Sequence, residues 1–105
     1  MYNKNVEREL IKMNRKTIIE WYDGAEYEII PTYDSFIGLI NVDIRKVEYP
    51  HRKFFRTILV KCKVFNPDNY DSIEEGCQYC FKNYIEEYEH FKEKQKKLEK
   101  FFENA

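Results

Sequence analysis

Glycine, proline and cysteine are each present only three times in 105 residues, and the shortages of glycine and of cysteine each close off a class of site or scaffold. Gly24, Gly38 and Gly76 are too far apart to form a phosphate-cradling loop, which removes the ordinary nucleotide-binding sites. The cysteines (Cys62, Cys77, Cys80) are odd in number and lack the spacing of a disulfide framework, and the chain has no Asn-x-Ser/Thr acceptor. No apolar run approaches the ~18–20 residues of a membrane-spanning helix. The first residues are polar and charged from Asn3 to Arg8, unlike a secretory signal. These absences together lead to the expectation of a cytoplasmic protein with no membrane contact and no disulfides.

Ionised and apolar residues are plentiful instead. Charged residues make up 35% of the chain, yet 43% is hydrophobic and 17% aromatic, enough for a packed interior. The length suits one domain, because two cores of this size would each bury too little surface. Heavy use of Lys, Asn, Ile, Tyr, Phe and Glu, with little Gly, Pro or Ala, fits a gene from an AT-rich genome such as that of a low-GC bacterium or its phages.

Periodicity gives a coarse layout. Val6, Leu10 and Met13 carry the spacing of a short amphipathic helix over 4–14, capped by Asn3 or Asn5. Residues 17–22 and 25–30 are β-prone runs around Asp23-Gly24 and read as a hairpin. A two-residue loop would set Ile19 opposite Glu28 and Glu20 opposite Tyr27, mixing apolar and acidic residues on both faces. The favoured register is therefore a three-residue loop, Tyr22-Asp23-Gly24, with Trp21 paired to Ala25, Ile19 to Tyr27 and Thr17 to Ile29. A rival reading runs the first helix on to Tyr22 and caps it with Gly24, since Leu10, Met13, Thr17 and Trp21 also sit at helical spacing.

Two longer strands are expected over 36–49 and 54–65, joined by a turn at Pro50-His51-Arg52-Lys53. In the second, Ile58, Val60, Cys62 and Val64 alternate with Thr57, Leu59, Lys61 and Lys63. The Arg45-Lys46 pair breaks alternation and points to a bulge near the end of the first. From residue 67 to 103 the period becomes helical. Ser72-x-x-Glu75 forms a capping box, and Asn66-Pro67 offers an earlier start. Ile73, Cys77, Cys80, Tyr84, Tyr88, Phe91, Leu98 and Phe102 form one apolar stripe. Such a helix is roughly 45 Å long, against about 20 Å for a typical strand, so its distal end must protrude, fold back or meet a partner. The expected fold is α+β: a short N-terminal helix, an antiparallel meander of about four strands over 16–65, and a long amphipathic helix across one sheet face.

Charge is distributed in blocks although the net value is −1. Residues 17–44 carry six acids and no base, and residues 64–91 carry seven acids and one base. Between them, residues 45–63 hold Arg45, Lys46, Arg52, Lys53, Arg56, Lys61 and Lys63 against Glu48 alone, with Tyr49, Phe54 and Phe55 interspersed. A basic two-stranded ribbon with aromatic rings can track a phosphate backbone and stack on bases. Against nucleic-acid binding stands a sequence pI of about 6.1, where dedicated nucleic-acid domains usually exceed roughly 9. The competing readings are neutralisation of the block within the fold and a charged protein-binding face.

No residues converge as catalytic groups do. Cys77-x-x-Cys80 lies inside the predicted helix, and zinc would need Cys62 and His51 brought to it; its plainer reading is two small apolar residues on the buried stripe. His51 and His90 lack companions at ligand or nucleophile–base spacing. Pro67-Asp68 has no Asp/Glu-x-Lys after it and so lacks half of a two-metal nuclease motif. No enzyme activity, cofactor or metal is expected. The expected function is protein binding through Phe91, Leu98, Phe101 and Phe102, where the stripe thins to Leu98 among Lys94, Lys96, Lys97 and Lys100: a poor coiled coil but a workable apolar knob on a basic stem. A phage or mobile-element accessory or inhibitor would fit that description. The alternatives are nucleic-acid contact through Arg45, Lys46, Arg52, Lys53, Phe54, Arg56, Lys61 and Lys63, and a homodimer joined by the long helix.

Overall fold

A computed structural model describes residues 17–104; the expected helix over 4–14 lies outside them. Four strands, β1 (Ile18–Tyr22), β2 (Ala25–Asp34), β3 (Leu39–Val47) and β4 (Thr57–Phe65), form an antiparallel sheet in chain order. The helix α1 (Ile73–Glu103) follows and lies across one face. The fold is thus α+β with a meander and a long C-terminal helix. No described helix is long and apolar enough to cross a membrane.

The first hairpin departs from the expected register. Tyr22 pairs with Ala25, Glu20 with Tyr27 and Ile19 with Glu28, so the loop is the two-residue Asp23-Gly24. Both loop residues have positive φ, 51° and 76°, the geometry of a turn whose twist matches that of the flanking strands. The mixed pairing is tolerated because β1 is an edge strand. Its outward residues, Ile19 and Trp21, stay exposed while Ile18 and Tyr22 pack toward the core. Segment 18–22 is a strand, so the rival helical reading fails there as well.

The core is built from Tyr27, Ile29, Ile40, Val42, Ile44 and Phe65 of the sheet and Ile73, Cys77, Cys80, Phe81 and Tyr84 of the helix. Ile29, Ile40 and Ile44 are fully buried, each contributing roughly 1.5–3 kcal/mol by burial. Directly opposed residues share a sheet face. Val42 opposes Lys63 and Ile44 opposes Lys61, so β4 turns its lysines, with Phe65, toward the helix and leaves Cys62 and Val64 on the open face. The pairing of β3 with β4 shifts between Ile44 and Arg45 because Lys61 and Leu59 are their partners, leaving Val60 as the extra residue. The irregularity expected at Arg45-Lys46 is therefore real, but the additional residue belongs to the facing strand. Val60 turns in to pack on the core.

Strands β3 and β4 are shorter than their sequence patterns, and Phe36 and Ile37 sit exposed in the β2–β3 turn. That turn closes with Gly38 N–H donating to the Asp34 carbonyl at 2.9 Å and Phe36 N–H to Asp34 Oδ1 at 3.0 Å. The helix starts at Ile73 and not at Pro67, which belongs to a separate 3-10 turn (Pro67–Asn69) capped by Asn66. Ser72 Oγ accepts the Glu75 N–H at 3.0 Å, the expected N-cap.

At Gly76 the helix packs directly against the Phe65 ring of β4. A Cβ there would overlap the Phe65 ring. Gly76→Ala should therefore lower stability by about 1–3 kcal/mol of overpacking, despite the gain of up to about 1 kcal/mol that alanine brings to a helix interior. Urea denaturation checks this, and an unchanged or raised midpoint would contradict the packing described.

Candidate functional site

The helix has a supported half and a bare half, divided at Tyr88. Tyr84 packs on Tyr27 (ring centroids 6.2 Å apart), Tyr88 stacks on Tyr84 at 6.2 Å, and Tyr22, the last residue of β1, meets Tyr88 edge-on at 6.4 Å. Among the described residues this aromatic ladder is the last ring contact between sheet and stripe. Beyond it Phe91 is 56% exposed, Leu98 47%, Phe101 71% and Phe102 72%. Phe101 and Phe102 touch each other edge-to-face at 6.0 Å and do not fold back onto the sheet. The backbone nevertheless remains helical to Glu103, closed by Asn104 N–H donating to the Lys100 carbonyl. The protruding helix stretches the described structure to 59 × 34 × 21 Å.

The eight residues of the basic and aromatic set divide into two groups. Lys63 donates to Glu87 at 2.5 Å and to Asn83 at 2.7 Å, and Lys61 lies 3.7 Å from the same Glu87. Lys46 pairs with Glu48 at 3.6 Å. Arg45 Nε donates to Thr57 Oγ1 at 2.8 Å. These four cations are engaged within the fold. Arg52, Lys53, Phe54 and Arg56 lie instead on the β3–β4 loop, 48–56, where every residue is exposed and no carboxylate among the described residues is within ion-pair reach of the three cations.

The loop is pinned at its base by the Glu48 and Tyr49 N–H groups, both donating to the Arg56 carbonyl, at 3.0 and 2.9 Å. Arg52 lies 4.0 Å over the Tyr49 ring. Phe55 has φ 56°, a left-handed conformation that is costly for a bulky side chain, and its ring is 88% exposed beside Phe54 at 77%. By the order of the strands the loop shares its end of the sheet with the Asp23-Gly24 turn, and the contact of Tyr22 with Tyr88 sends the helix out over that same end. Loop and bare helix thus lie toward the same end of the sheet.

The cysteines contribute no reactive group to this end of the molecule. Cys77 and Cys80 are buried on the stripe, and burial, together with Cys80 and Glu74 nearby, pushes the Cys77 thiol up to about 12. Burial raises Cys80 too. Neither has the low thiol pKa of a redox-active pair. Cys62 is on the open sheet face, donates to Asp43 at 3.5 Å, and does not approach Cys77-x-x-Cys80 as a fellow ligand would. Trp21 and Phe36 are exposed residues outside the sequence-derived set. Trp21 would have been found by trusting Asp23-Gly24 as a two-residue turn. Nothing in the alternation around Phe36 signals a turn ahead of Gly38.

The hydrogen bond from Lys63 is the chief cause that holds the Glu87 carboxyl below its ordinary value of 4.5. A depressed folded pKa means that the contribution is present above about 4.5 and is lost as pH falls through the folded value. The wild-type urea midpoint should therefore exceed that of Glu87→Gln near neutral pH, by a small margin given solvent screening, and the two should converge in acid. A gap that widens in acid would contradict the pairing. Comparison of the chain with protein-family models, curated proteins and solved structures returns no match.

Proposed function

We propose that this chain is a non-catalytic protein-binding module that offers the bare half of α1, with Phe91, Leu98, Phe101 and Phe102, to a protein partner. One observation carries the reading: the apolar stripe that is buried through Tyr84 continues in the same helix to Phe102 with no sheet beneath it. Exposed apolar surface on a rigid element, rimmed by charge, is what helix-in-groove recognition uses. The rim is Lys92, Lys94, Lys96, Lys97 and Lys100 with Glu93, Glu99 and Glu103, so charges of both signs border the apolar surface and can fix the register of a partner. The small size, the lack of catalytic motifs and the AT-rich composition favour an accessory or inhibitor of a phage or mobile element that works by covering a surface of its target, in the cytoplasm.

A second reading rests on the loop. Arg52, Lys53 and Arg56 stand unpaired with carboxylates among the described residues beside two exposed rings, one of them on a strained backbone, an arrangement suited to a phosphate backbone and to base stacking. The engagement of Lys61, Lys63, Lys46 and Arg45 elsewhere leaves three cations for that role.

A pull-down from host lysate, split into nuclease-treated and untreated halves, separates the two. Captured protein should survive nuclease and be lost with Leu98→Glu/Phe102→Glu, changes that touch no sheet contact. Capture that vanishes with nuclease, and with Arg52, Lys53 and Arg56 all changed to Glu, would contradict the protein-binding reading in favour of the loop.

A further inference from the structure

The stripe obeys a stricter rule than amphipathicity. Cys77, Phe81, Tyr84, Tyr88, Phe91, Gln95, Leu98 and Phe102 follow one another at steps of four and three without a break, the 3.5-residue repeat of a coiled-coil seam. The first half of that seam is taken by the sheet. The second half, Phe91, Gln95, Leu98 and Phe102, is bare, and the thinning that weakens it is the single polar residue Gln95. Resting on the reading of this half as a protein-binding surface, we infer that its partner is a second copy of this chain, docked antiparallel along 91–102.

Three features select that occupant and that direction. The seam faces its own sheet in the proximal half, so a parallel partner would have to place its proximal helix where this sheet already stands. An antiparallel partner overlaps the bare half alone. Its tip reaches the level of Tyr88, where the sheet contact ends. The layers are then Phe91 against the partner's Phe102 and Gln95 against the partner's Leu98, each repeated by the two-fold axis.

The flanks are also self-complementary. Lys92 and Glu99 occupy equivalent seam-flanking positions one heptad apart, and antiparallel pairing brings each toward its opposite on the other copy. In the single chain Glu99 has no ion pair among the described residues, and Lys92 rests on the Tyr88 ring at 4.9 Å and near Glu89 at 3.7 Å. Of the remaining charges, Glu93, Lys96, Lys97 and Lys100 fall on the outer face, and Lys94 flanks the other side of the seam, where antiparallel pairing sets it toward the partner's uncharged Phe101. The contact is short, about 20 Å of helix, and so buries less than the roughly 800 Å² per partner of a standard interface. It is therefore a concentration-dependent dimer, with a dissociation constant on the order of 10–100 μM.

Sedimentation equilibrium of the full chain from about 10 μM to 1 mM tests this. The mass should rise from 13.0 kDa toward twice that value. Leu98→Glu should remain monomeric, and Gln95→Leu should tighten the dimer about tenfold by replacing a polar seam residue. Lys92→Glu should weaken it, and Lys92→Glu combined with Glu99→Lys should restore it. In a Cys62→Ser, Asn104→Cys chain, spin labels on the two tips should lie about 25 Å apart, against about 10 Å for parallel helices. A mass that stays at 13.0 kDa at the highest concentration, or tip labels at the shorter distance, overturns this inference. Such a monomer whose pull-down still depends on Leu98 and Phe102 leaves the protein-binding reading intact. Indifference of both experiments to Leu98 overturns the two together.

Discussion

A 31-residue helix laid on strands of nine and ten residues cannot be covered along its length. At 1.5 Å per residue the helix spans about 46 Å, whereas the longest strand reaches about 33 Å and is crossed obliquely. The mismatch fixes most of what is distinctive here. It ends the core at the tyrosine ladder of Tyr27, Tyr84, Tyr88 and Tyr22, it sends the C-terminal half of α1 into solvent, and it leaves that half carrying apolar side chains whose spacing was set by the need to pack. A stripe that ended at Tyr88 would have made the protruding half an inert charged rod. Because it does not end there, the bare half is the best candidate for function.

The charge blocks serve the same geometry. Lys61 and Lys63 face the helix from β4, where an apolar pair would ordinarily be expected, and both converge on Glu87. Their long methylene stems cover the flank of the core while both ammonium groups reach the Glu87 carboxylate near its edge. The helix is thus held at Gly76 and Phe65 by close packing at one end and by the lysine clamp and tyrosine ladder at the other. Basic residues that look like one ribbon along the chain are divided by this arrangement into those that secure the helix and those, Arg52, Lys53 and Arg56, that remain on a loop.

Much of the architecture was legible in the sequence because it rests on periodicity. The α+β class, the antiparallel meander, the cap at Ser72 and the reach of the helix to residue 103 all follow from patterns several residues long. What was not legible depended on choices that alternation does not decide. The register of β1 against β2 was set by the positive φ of Asp23 and Gly24 at an edge strand whose two faces are both partly wet, so its mixed pairing carries little penalty. The facing of β4 was set by Phe65 packing on Gly76 and by the extra residue at Val60. Among the candidate site residues, the exposure of Phe91, Leu98, Phe101 and Phe102 could be anticipated from helix length. The division of the basic block could not, since only the fold says which lysines meet Glu87.

Residue-resolved hydrogen exchange on the dilute 105-residue chain tests most directly the claim that the helix is half supported and half bare. Amides from Cys77 to Tyr88 should exchange at rates close to those of the sheet core, with protection falling steeply from Phe91 onward. Protection of equal strength through Phe102 in the dilute monomer would contradict the account, because it would mean that the distal stripe is already covered by the chain itself and is not a surface offered to a partner.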